Sequence, residues 1–505
     1  MSVSDERCWS PRAEAGPTNG TLTLQERANG MFFTPVSVAC DLLTSFLTDH
    51  HLSVRRVLDL AAGSGSLLVA AARTFASPLT LVGVEIDAMV AAQCRAQLQS
   101  EATPSDTIDV IHGDGLGPTL SAQLRSKYDG FDLVLGNPPF LSPRLRSQRF
   151  VGANSVDWTA LRRQFPTLTR PTTDLSTYFV AQAFSHLRPG GVCGMIVPVS
   201  FLSSDGASRV RGLIDVEGEV LRVDHLPNDS FVASVNTVCV WIRRHTPRGA
   251  LADHATSSWG SWVAESPALD LSPGPLVCDI ARVTAGFRDE FYQLSRAVQE
   301  AQEIPAPDKV APPGESWHRV LTVGHLGWGQ PRWGVKTVKI GGRHFLRPVV
   351  AHGALQAMSA SLRGMLVPKL VVAPQKKVVA PWIDSLGGTV PLTPVVSVLA
   401  NDRHGLELSL LAAALGSPVA SGFVEQRCAG TALSTSALKF SARDLGQVPL
   451  PRDRKAWTLA ASVWPPVDYK DLSVYLDAIR AAYQIDATTW STLLAWWLPR
   501  VGLTL

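Results

Sequence analysis

Residues 54–66 read VRRVLDLAAGSGS, a short apolar strand that runs through a glycine turn into the start of a helix. Gly63 and Gly65 let the backbone turn tightly and approach a ligand closely where the strand ends. A second apolar run ends at Glu85, 20 residues after Gly65, which is the separation at which an acid meets the hydroxyls of a ribose. A complete dinucleotide fingerprint needs a third glycine, and Leu68 occupies that place. The stretch therefore indicates either a ribose-binding strand end or a strand that only packs against its helix.

Seven short apolar runs alternate with helical segments between Leu52 and Arg244. Nearly continuous apolar strands with helices between them are typical of a mainly parallel sheet that is covered on both faces. The last two runs have only a short link, which predicts an antiparallel strand at one edge. We therefore expect a doubly wound α/β fold with the strands Val54–Ala61, Leu79–Ile86, Thr107–His112, Phe131–Leu135, Gly191–Pro198, Val220–His225 and Asn236–Ile242.

The length of 505 residues allows two to four domains, at roughly 100–200 residues each. Residues 1–27 are polar and predict a flexible tail, and residues 28–245 hold the doubly wound domain. Residues 246–315 are rich in Pro, Ser, Gly and Ala, which predicts a linker. Residues 316–455 combine short strands with an apolar helix and predict a mixed α+β domain. Residues 456–505 are expected to form a helical extension.

The composition excludes several classes of protein. An apolar fraction of 46% and a charged fraction of 18% are those of a folded chain. The seven cysteines are scattered without metal-ligand spacing, so we expect reduced thiols and no metal site. No apolar run approaches the roughly 20 residues that span a bilayer, and no signal peptide is recognised. We therefore expect a cytoplasmic protein that does not enter a membrane.

The formal net charge is only +3, but the charge is unevenly distributed. Residues 316–383 contain no Asp or Glu, and a second basic stretch lies between Pro138 and Thr173. Such a distribution suits a polyanion-binding surface, and the alternative is an ordinary solvated face. The ten basic residues of the first stretch are Arg319, Arg332, Lys336, Lys339, Arg343, Arg347, Arg363, Lys369, Lys376 and Lys377.

The fourth strand is followed by the sequence Asn137-Pro138-Pro139-Phe140. Two prolines stiffen the backbone and remove amide donors, which leaves the Asn137 side-chain oxygen and the Pro138 carbonyl as acceptors. An amino group that is conjugated to a heterocycle is a poor nucleophile because its lone pair is delocalised. Two acceptors on its hydrogens favour a tetrahedral nitrogen and stabilise the positive charge that methylation creates. The motif therefore suits methyl transfer to a conjugated amino group, with Phe140 as a flat apolar face.

In this order the motifs resemble those of the γ-class N6-adenine DNA methyltransferases, which use S-adenosylmethionine. The leading motif of that family corresponds to Gly30–Pro35, ahead of the glycine turn and of Asn137–Phe140. Leu60 stands where many members have Pro, a departure that touches no expected contact. The resemblance covers residues 28–245 and implies the Rossmann-like fold of a class I methyltransferase.

The resemblance also assigns roles to individual residues. Glu85 is expected to hold the cofactor ribose and Asp114 the adenine amino group, although an acid that closes a strand is often only a turn former. The catalytic residues are expected to be Asn137, Pro138, Pro139 and Phe140. The methionine end of the cofactor is expected against Thr34, Asp59, Gly63 and Gly65.

The target base is expected to stack on Phe140 and Phe231. For Phe231, packing in the core is an equal alternative. Base modification in a duplex also requires a surface that holds the DNA. The residues expected there are Arg144, Arg146, Arg332, Lys336, Lys339, Arg343, Lys376 and Lys377, with Trp317, Trp328, Trp333 and Trp382 as flat surfaces among the basic residues.

Together these features predict a site-specific methyltransferase that modifies adenine N6 in double-stranded DNA. It would serve a restriction-modification or phage-defence system, with a separately encoded restriction endonuclease or defence subunits as possible partners. One alternative is an enzyme of the same fold that acts on ribosomal RNA or on a protein glutamine. Another is a DNA-binding modification subunit that needs a partner.

Overall fold

The computed structural model describes residues 34–141, 156–226, 236–245, 258–271, 274–286, 288–301, 317–358, 360–400, 408–430 and 437–503. The chain divides into two units, Met1–Trp259 and Gly260–Leu505.

The first unit is built on a sheet of seven strands. Their order across the sheet is β3-β2-β1-β4-β5-β7-β6, in which only β7 runs antiparallel to its neighbours. This confirms the predicted doubly wound, mainly parallel sheet. The strands are β1 (Arg56–Asp59), β2 (Thr80–Glu85), β3 (Thr107–His112), β4 (Phe131–Gly136), β5 (Leu187–Pro198), β6 (Gly218–His225) and β7 (Thr237–Arg244).

The antiparallel strand lies one place inside the edge, which corrects the expectation that it would form the edge itself. β7 pairs with both β5 and β6, and its first six residues are buried. In β6 only the first residue, Gly218, is buried. The more continuous apolar run therefore takes the central position, where both of its faces are covered.

Helices cover both faces of this sheet. Trp241 of β7 stacks on Phe46 with ring centroids 4.1 Å apart. A Cβ added at Gly194 of β5 would lie 2.4 Å from the Trp241 ring, so only glycine admits the indole there. This packing holds the first helix, and with it Thr34, against the sheet. The helices are α1 (Val36–Asp49), α2 (Ser66–Thr74), α3 (Ala88–Glu101), α4 (Pro118–Tyr128), α5 (Trp158–Gln164), α6 (Leu175–His186) and α7 (Ser208–Glu217).

The second unit contains two four-stranded sheets and a hairpin. One sheet has the order β16-β10-β13-β9, the other has the order β15-β14-β17-β8, and β11 pairs with β12. The strands are β8 (Ala281–Ala285), β9 (Gln299–Glu300), β10 (Trp317–Leu321), β11 (Val338–Ile340), β12 (Arg343–Phe345), β13 (Pro348–Ala351), β14 (Lys369–Ala373), β15 (Ala380–Asp384), β16 (Thr389–Pro391) and β17 (Val396–Ala400).

Part of the expected linker 246–315 is folded into this unit. β8 forms the edge of one sheet by pairing with β17, and β9 pairs with β13. These strands were missed because their partners lie far along the chain and because the surrounding Pro, Ser and Gly residues are typical of loops.

The helical segment 456–505 shares its core with the rest of the second unit, where a separate extension was expected. Trp328 lies edge-on to Trp464 and Trp497, at centroid distances of 5.0 and 5.2 Å. Its indole N–H also donates to the Gly416 carbonyl at 2.7 Å. The helices are α8 (Val277–Ile280), α9 (Arg288–Ala297), α10 (His352–Gln356), α11 (Ala360–Arg363), α12 (Leu408–Leu415), α13 (Pro418–Cys428), α14 (Ala442–Gly446), α15 (Arg454–Ser462), α16 (Tyr469–Tyr483) and α17 (Ala487–Val501).

Within the described ranges, no single helix has the length and apolar character to cross a bilayer. Only α12 and α13 taken together would pass such a test, with a bend of 59° between them.

Candidate active site and basic surface

The predicted site residues of the first unit meet at the carboxyl edge of its sheet. Asp59, the last residue of β1, pairs in register with Gly83 of β2 and Leu135 of β4. Glu85 ends β2 beside His112 of β3. The glycine turn, the two acids and the segment after β4 are therefore neighbours, as the order of the motifs predicts.

The glycine turn and Glu85 are bonded to each other. The Gly63 amide donates to Glu85 Oε2 at 2.9 Å, and the Asp87 amide donates to Oε1 at 3.0 Å. Gly63 and Gly65 have φ angles of 53° and 95°, in the left-handed region that favours glycine. Each Glu85 oxygen has a further lone pair that can accept a hydroxyl. This arrangement fits two ribose hydroxyls.

Asp59 is the most deeply buried acid of the site, with 1% of its surface exposed. Its Oδ1 accepts the Ala61 amide at 2.9 Å. The pKa of Asp59 is raised to about 7, mainly by burial; the Ala61 hydrogen bond opposes this rise and the charge of Glu85 adds to it. A buried carboxylate with so high a pKa favours a cationic ligand, which would stabilise the charged form. The ammonium at the methionine end of S-adenosylmethionine meets that requirement.

Ile86 follows the end of β2, and Asp114 follows the end of β3. Asp114 is exposed, and its Oδ1 accepts the Leu116 amide at 2.9 Å. Asp114 therefore forms a turn, which was the alternative to a role at the cofactor. Its other carboxylate oxygen, Oδ2, belongs to the same exposed side chain. Ile86 directly follows Glu85 and is 52% exposed. The sequence analysis did not identify Ile86. The signal that could have identified it is its position directly after a ribose-binding acid, where an apolar side chain offers a face for an adenine ring.

The orientation of the Asn137 side chain depends on Thr34. Asn137 Nδ2 donates to Thr34 Oγ1 at 2.9 Å, and Thr34 is 5% exposed just before α1. This bond directs Nδ2 of the amide toward Thr34, so that Oδ1, the other branch of the same planar group, points away from Thr34. Thr34 was expected at the cofactor, and the structure shows in addition that it orients the predicted catalytic amide.

The rest of the catalytic motif is tightly placed. Pro138 is buried, whereas Pro139 and Phe140 are half-buried. A Cβ added at Gly136 would lie 3.0 Å from Met195 Cε and 3.9 Å from Asp59 Oδ1. The segment therefore begins within a few ångströms of the buried acid. Phe231, Arg144 and Arg146 lie outside the described residues.

In the second unit the predicted basic surface separates into exposed and internal residues. Arg332, Lys336, Lys339 and Lys377 are exposed. Lys376 is half-buried, and burial together with the positive charges of Lys336 and Arg332 lowers its pKa. Lys336 and Arg332 thus lie close enough to Lys376 to repel its charge.

Other basic residues of the same stretch have structural roles. Lys369 is fully buried, and its Nζ lies 2.6 Å from Oδ2 of the fully buried Asp384. Asp384 is the first acid after the acid-free stretch, so the charge excess counted from the sequence is partly neutralised within the fold. Arg343, which was expected on DNA, is exposed, and its Nη2 donates to the carbonyls of Ser295 and Val298 at 3.0 and 3.1 Å.

Two of the tryptophans expected on the DNA surface pack against the core, Trp333 as a buried and Trp328 as a half-buried side chain. Trp333 is 5% exposed, and the Arg319 guanidinium lies 4.7 Å from its ring centroid. Trp328 is part of the aromatic core with Trp464 and Trp497. Trp317 is 41% exposed. Among the described residues, no group of three or more His, Cys, Asp or Glu side chains could hold a metal ion.

The described geometry agrees with comparisons to known proteins. Residues 22–252 match the family model described as N-6 DNA Methylase. The chain is 30% identical over 165 residues to ribosomal RNA small subunit methyltransferase C of Shewanella halifaxensis, covering 32% of this chain and 37% of the relative. It is 38% identical over 144 residues to tRNA1(Val) (adenine(37)-N6)-methyltransferase of Shewanella amazonensis, covering 28% and 52%. Both alignments thus span about half or less of the relative.

Among solved structures, the type I restriction-modification methyltransferase subunit of Streptococcus thermophilus is 21% identical. The match covers 43% of this chain and 45% of that one, with a TM-score of 0.35.

Proposed function

We propose that this chain, whose residues 22–252 match the N-6 DNA Methylase family model, is a methyltransferase that modifies the N6 amino group of adenine at a specific sequence in double-stranded DNA. The observation that carries the proposal is the bond between Asn137 Nδ2 and Thr34 Oγ1. It orients an acceptor amide next to the strand end that holds Asp59, where a cationic cofactor fits.

The chain's own residues support each part of the reaction. Asn137 Oδ1 and the Pro138 carbonyl accept hydrogen bonds from the two N–H groups of the adenine amino group. These bonds direct the nitrogen lone pair out of the ring plane. Their partial negative charge stabilises the positive charge that develops on the nitrogen. One of the two protons is then lost to solvent. The half-buried Phe140 provides a face on which the extruded adenine stacks.

The cofactor is S-adenosylmethionine, which supplies the electrophilic methyl group when bound. Asp59 would hold its ammonium, Glu85 its ribose, and Asp114 its adenine amino group beside Ile86. The Gly63–Gly65 turn leaves room for the ligand because neither glycine carries a side chain.

The basic surface of the second unit supports a nucleic acid as substrate. Arg332, Lys336, Lys339, Lys376 and Lys377 supply cations for phosphate contacts. Phe231, Arg144 and Arg146 remain predictions from the sequence. A role in restriction-modification or phage defence, with a nuclease or other subunits as partners, is in keeping with the match to the N-6 DNA Methylase family model.

RNA methylation is the second candidate, because the curated relatives named above act on ribosomal and transfer RNA. Purified protein with methyl-labelled cofactor should be given duplex DNA, RNA or total protein, and the labelled product digested and identified. N6-methyladenine in DNA at one sequence motif supports the proposal, whereas label only in RNA or in protein glutamine contradicts it. Label that appears in DNA only when a partner subunit is added supports the modification-subunit alternative.

Asn137→Ala tests the catalytic assignment in the same assay. It should abolish the label in DNA while cofactor binding, followed by calorimetry, persists. A variant that still methylates DNA at the wild-type rate contradicts the role of the amide.

A further inference from the structure

The turn Arg332–Lys336 in the second unit presents one apolar side chain between two cations. The Arg332 carbonyl accepts the amides of Val335 and Lys336 at 3.1 and 3.0 Å. Gly334 has a φ of 79°, and its amide donates to the Leu346 carbonyl at 3.1 Å. The backbone of the turn is therefore held by its own hydrogen bonds and by a neighbouring segment.

The buried side chain of Trp333 holds this turn against the rest of the unit. Its ring lies under the Arg319 guanidinium, and its indole N–H donates to the Pro348 carbonyl at 3.0 Å. Val335, two residues further, is 76% exposed. A valine side chain is more stable in contact with apolar surface than in water. A rigid turn that keeps it exposed suits contact with a partner.

The surroundings of the turn indicate a polyanionic partner. Arg332 and Lys336, which precede and follow Val335 in the sequence, are exposed, and Lys376 lies close enough for their charges to lower its pKa. The fully buried His325 also has its pKa lowered, to about 4, by burial and by the charges of Lys336 and Lys376. Bound phosphates would relieve this repulsion.

We propose that this turn reads DNA sequence, with Val335 against the methyl group of a thymine in the major groove and Arg332, Lys336 and Lys376 on the adjacent phosphates. The inference rests on the proposed function. Apolar contact is how a protein distinguishes thymine by its methyl group, and phosphate contacts fix the position of the reading side chain.

The test is a double-mutant cycle between protein and DNA. Once the methylated motif is known from genomic sequencing, each of its thymines is replaced in turn by uracil, which lacks only the methyl group. At one position this replacement should weaken wild-type binding about three- to ten-fold and leave Val335→Ala unaffected. Equal effects on both proteins at every position overturn the inference.

Lys336→Gln with Lys376→Gln provides the matched contrast. This double variant should weaken binding to any duplex and flatten its salt dependence, while it keeps the preference for thymine over uracil. An unchanged salt dependence would contradict the phosphate contacts. Wild-type protein that neither binds nor methylates DNA would instead contradict the proposed function.

A separate observation concerns the end of the catalytic segment. Leu141 follows Phe140, and its backbone is held at the start of α6. Its carbonyl accepts the Leu175 amide at 3.0 Å, and its amide faces the Asp174 carboxylate closely enough to lower the pKa of that group. The segment that begins at Asn137 is thus fastened to a helix whose described residues are almost all buried.

The Asp174 carboxylate contacts both the loop at Leu141 and the first turn of α6. Its Oδ1 accepts the Ser176 amide at 3.0 Å and the Ser176 hydroxyl at 2.8 Å, which caps α6. Burial raises the pKa of Asp174 to about 6, against the opposing effect of these hydrogen bonds. A carboxylate has enough acceptor positions for the helix and the loop together, whereas an asparagine has a single oxygen.

We infer that Asp174 is a positioning residue that holds the Asn137–Leu141 segment in its reactive geometry. This inference also rests on the proposed function. A displaced Asn137 amide would meet the adenine amino group poorly while the cofactor residues stay in place, so the loss should fall on kcat.

Asp174→Asn should lower kcat at least ten-fold, with the cofactor Kd and the melting temperature close to wild type. Ser176→Ala is the matched control, because it removes one bond to the same carboxylate without touching the loop, and it should keep kcat. Asp174→Ser, which retains a capping oxygen, keeps the test open if Asn disturbs folding. Wild-type kcat in Asp174→Asn or Asp174→Ser, or equal loss in Ser176→Ala, overturns the inference.

Discussion

Asp59→Asn should stabilise the cofactor-free protein above pH 7, although it removes a residue of the candidate active site. Asp59 is 1% exposed, and burial raises its pKa from the ordinary value of 3.8 to about 7. Above pH 7 the folded protein must therefore keep a buried negative charge that the unfolded chain keeps in water. The resulting destabilisation is absent below pH 3.8, grows as the pH rises, and is complete above pH 7.

The magnitude follows from the two pKa values. The interval from 3.8 to about 7 corresponds to about 4 kcal/mol, at about 1.36 kcal/mol per pH unit. Between pH 5 and pH 8 the change is about 2.5 kcal/mol. The amide introduced by the substitution can itself lose a hydrogen bond, which costs about 1–3 kcal/mol, but this cost is the same at both pH values. The pH-dependent part is therefore the quantity to measure.

Urea unfolding of both proteins at pH 5 and pH 8 measures it. The free energy of unfolding of Asp59→Asn relative to wild type should rise by about 2.5 kcal/mol between the two pH values. Asp87→Asn is the control, since Asp87 is an exposed carboxylate at the same sheet edge that caps α3. Parallel pH dependence of wild type and Asp59→Asn would refute the assignment of a buried, protonatable Asp59.

Three further predictions follow from single contacts. Thr34→Val should lower kcat about three- to ten-fold because the Asn137 amide loses the oxygen that orients it, whereas Thr34→Ser should retain kcat in the same labelled-methyl assay. Lys369→Met should cost about 3–5 kcal/mol in urea unfolding because it leaves Asp384 buried without its cation, and adding Asp384→Asn should recover part of that loss. His186 is 1% exposed, and burial lowers its pKa to about 4, so wild type should lose up to about 3 kcal/mol as the pH falls from 6.5 to 4, and His186→Gln should not show this loss.

The first unit could be predicted closely because its signals are local. Each apolar run maps to one strand, and Gly63, Gly65 and Glu85 follow strand ends at separations that a parallel sheet brings to one edge. The Thr34–Asn137 bond joins residues 103 positions apart. No spacing rule predicts such a bond, because it depends on how α1 packs against the sheet.

In the second unit, the number of charged residues in the sequence did not predict the charge on the surface. The acid-free stretch ends one residue before Asp384, and the sheet register places that acid opposite Lys369. A charge excess in sequence therefore became a smaller excess on the surface. β8 was hidden for a related reason, since its partner β17 lies more than a hundred residues further on and its own five residues carry no strong strand pattern. Long-range pairing decides both cases.

The destabilisation that Asp59 causes and the proposed binding of the cofactor both depend on the ionisation of Asp59. A cationic ligand that binds only the ionised carboxylate should bind about a hundred-fold more weakly at pH 5 than at pH 8, because the pKa of Asp59 is about 7. That difference is about 2.7 kcal/mol, close to the stability that the free protein loses over the same interval. Saturating cofactor should therefore remove the pH dependence that Asp59 introduces, and wild type should then unfold with the pH profile of cofactor-free Asp59→Asn. A stability cost that the ligand cancels is what distinguishes a binding carboxylate from a buried acid with a purely structural role.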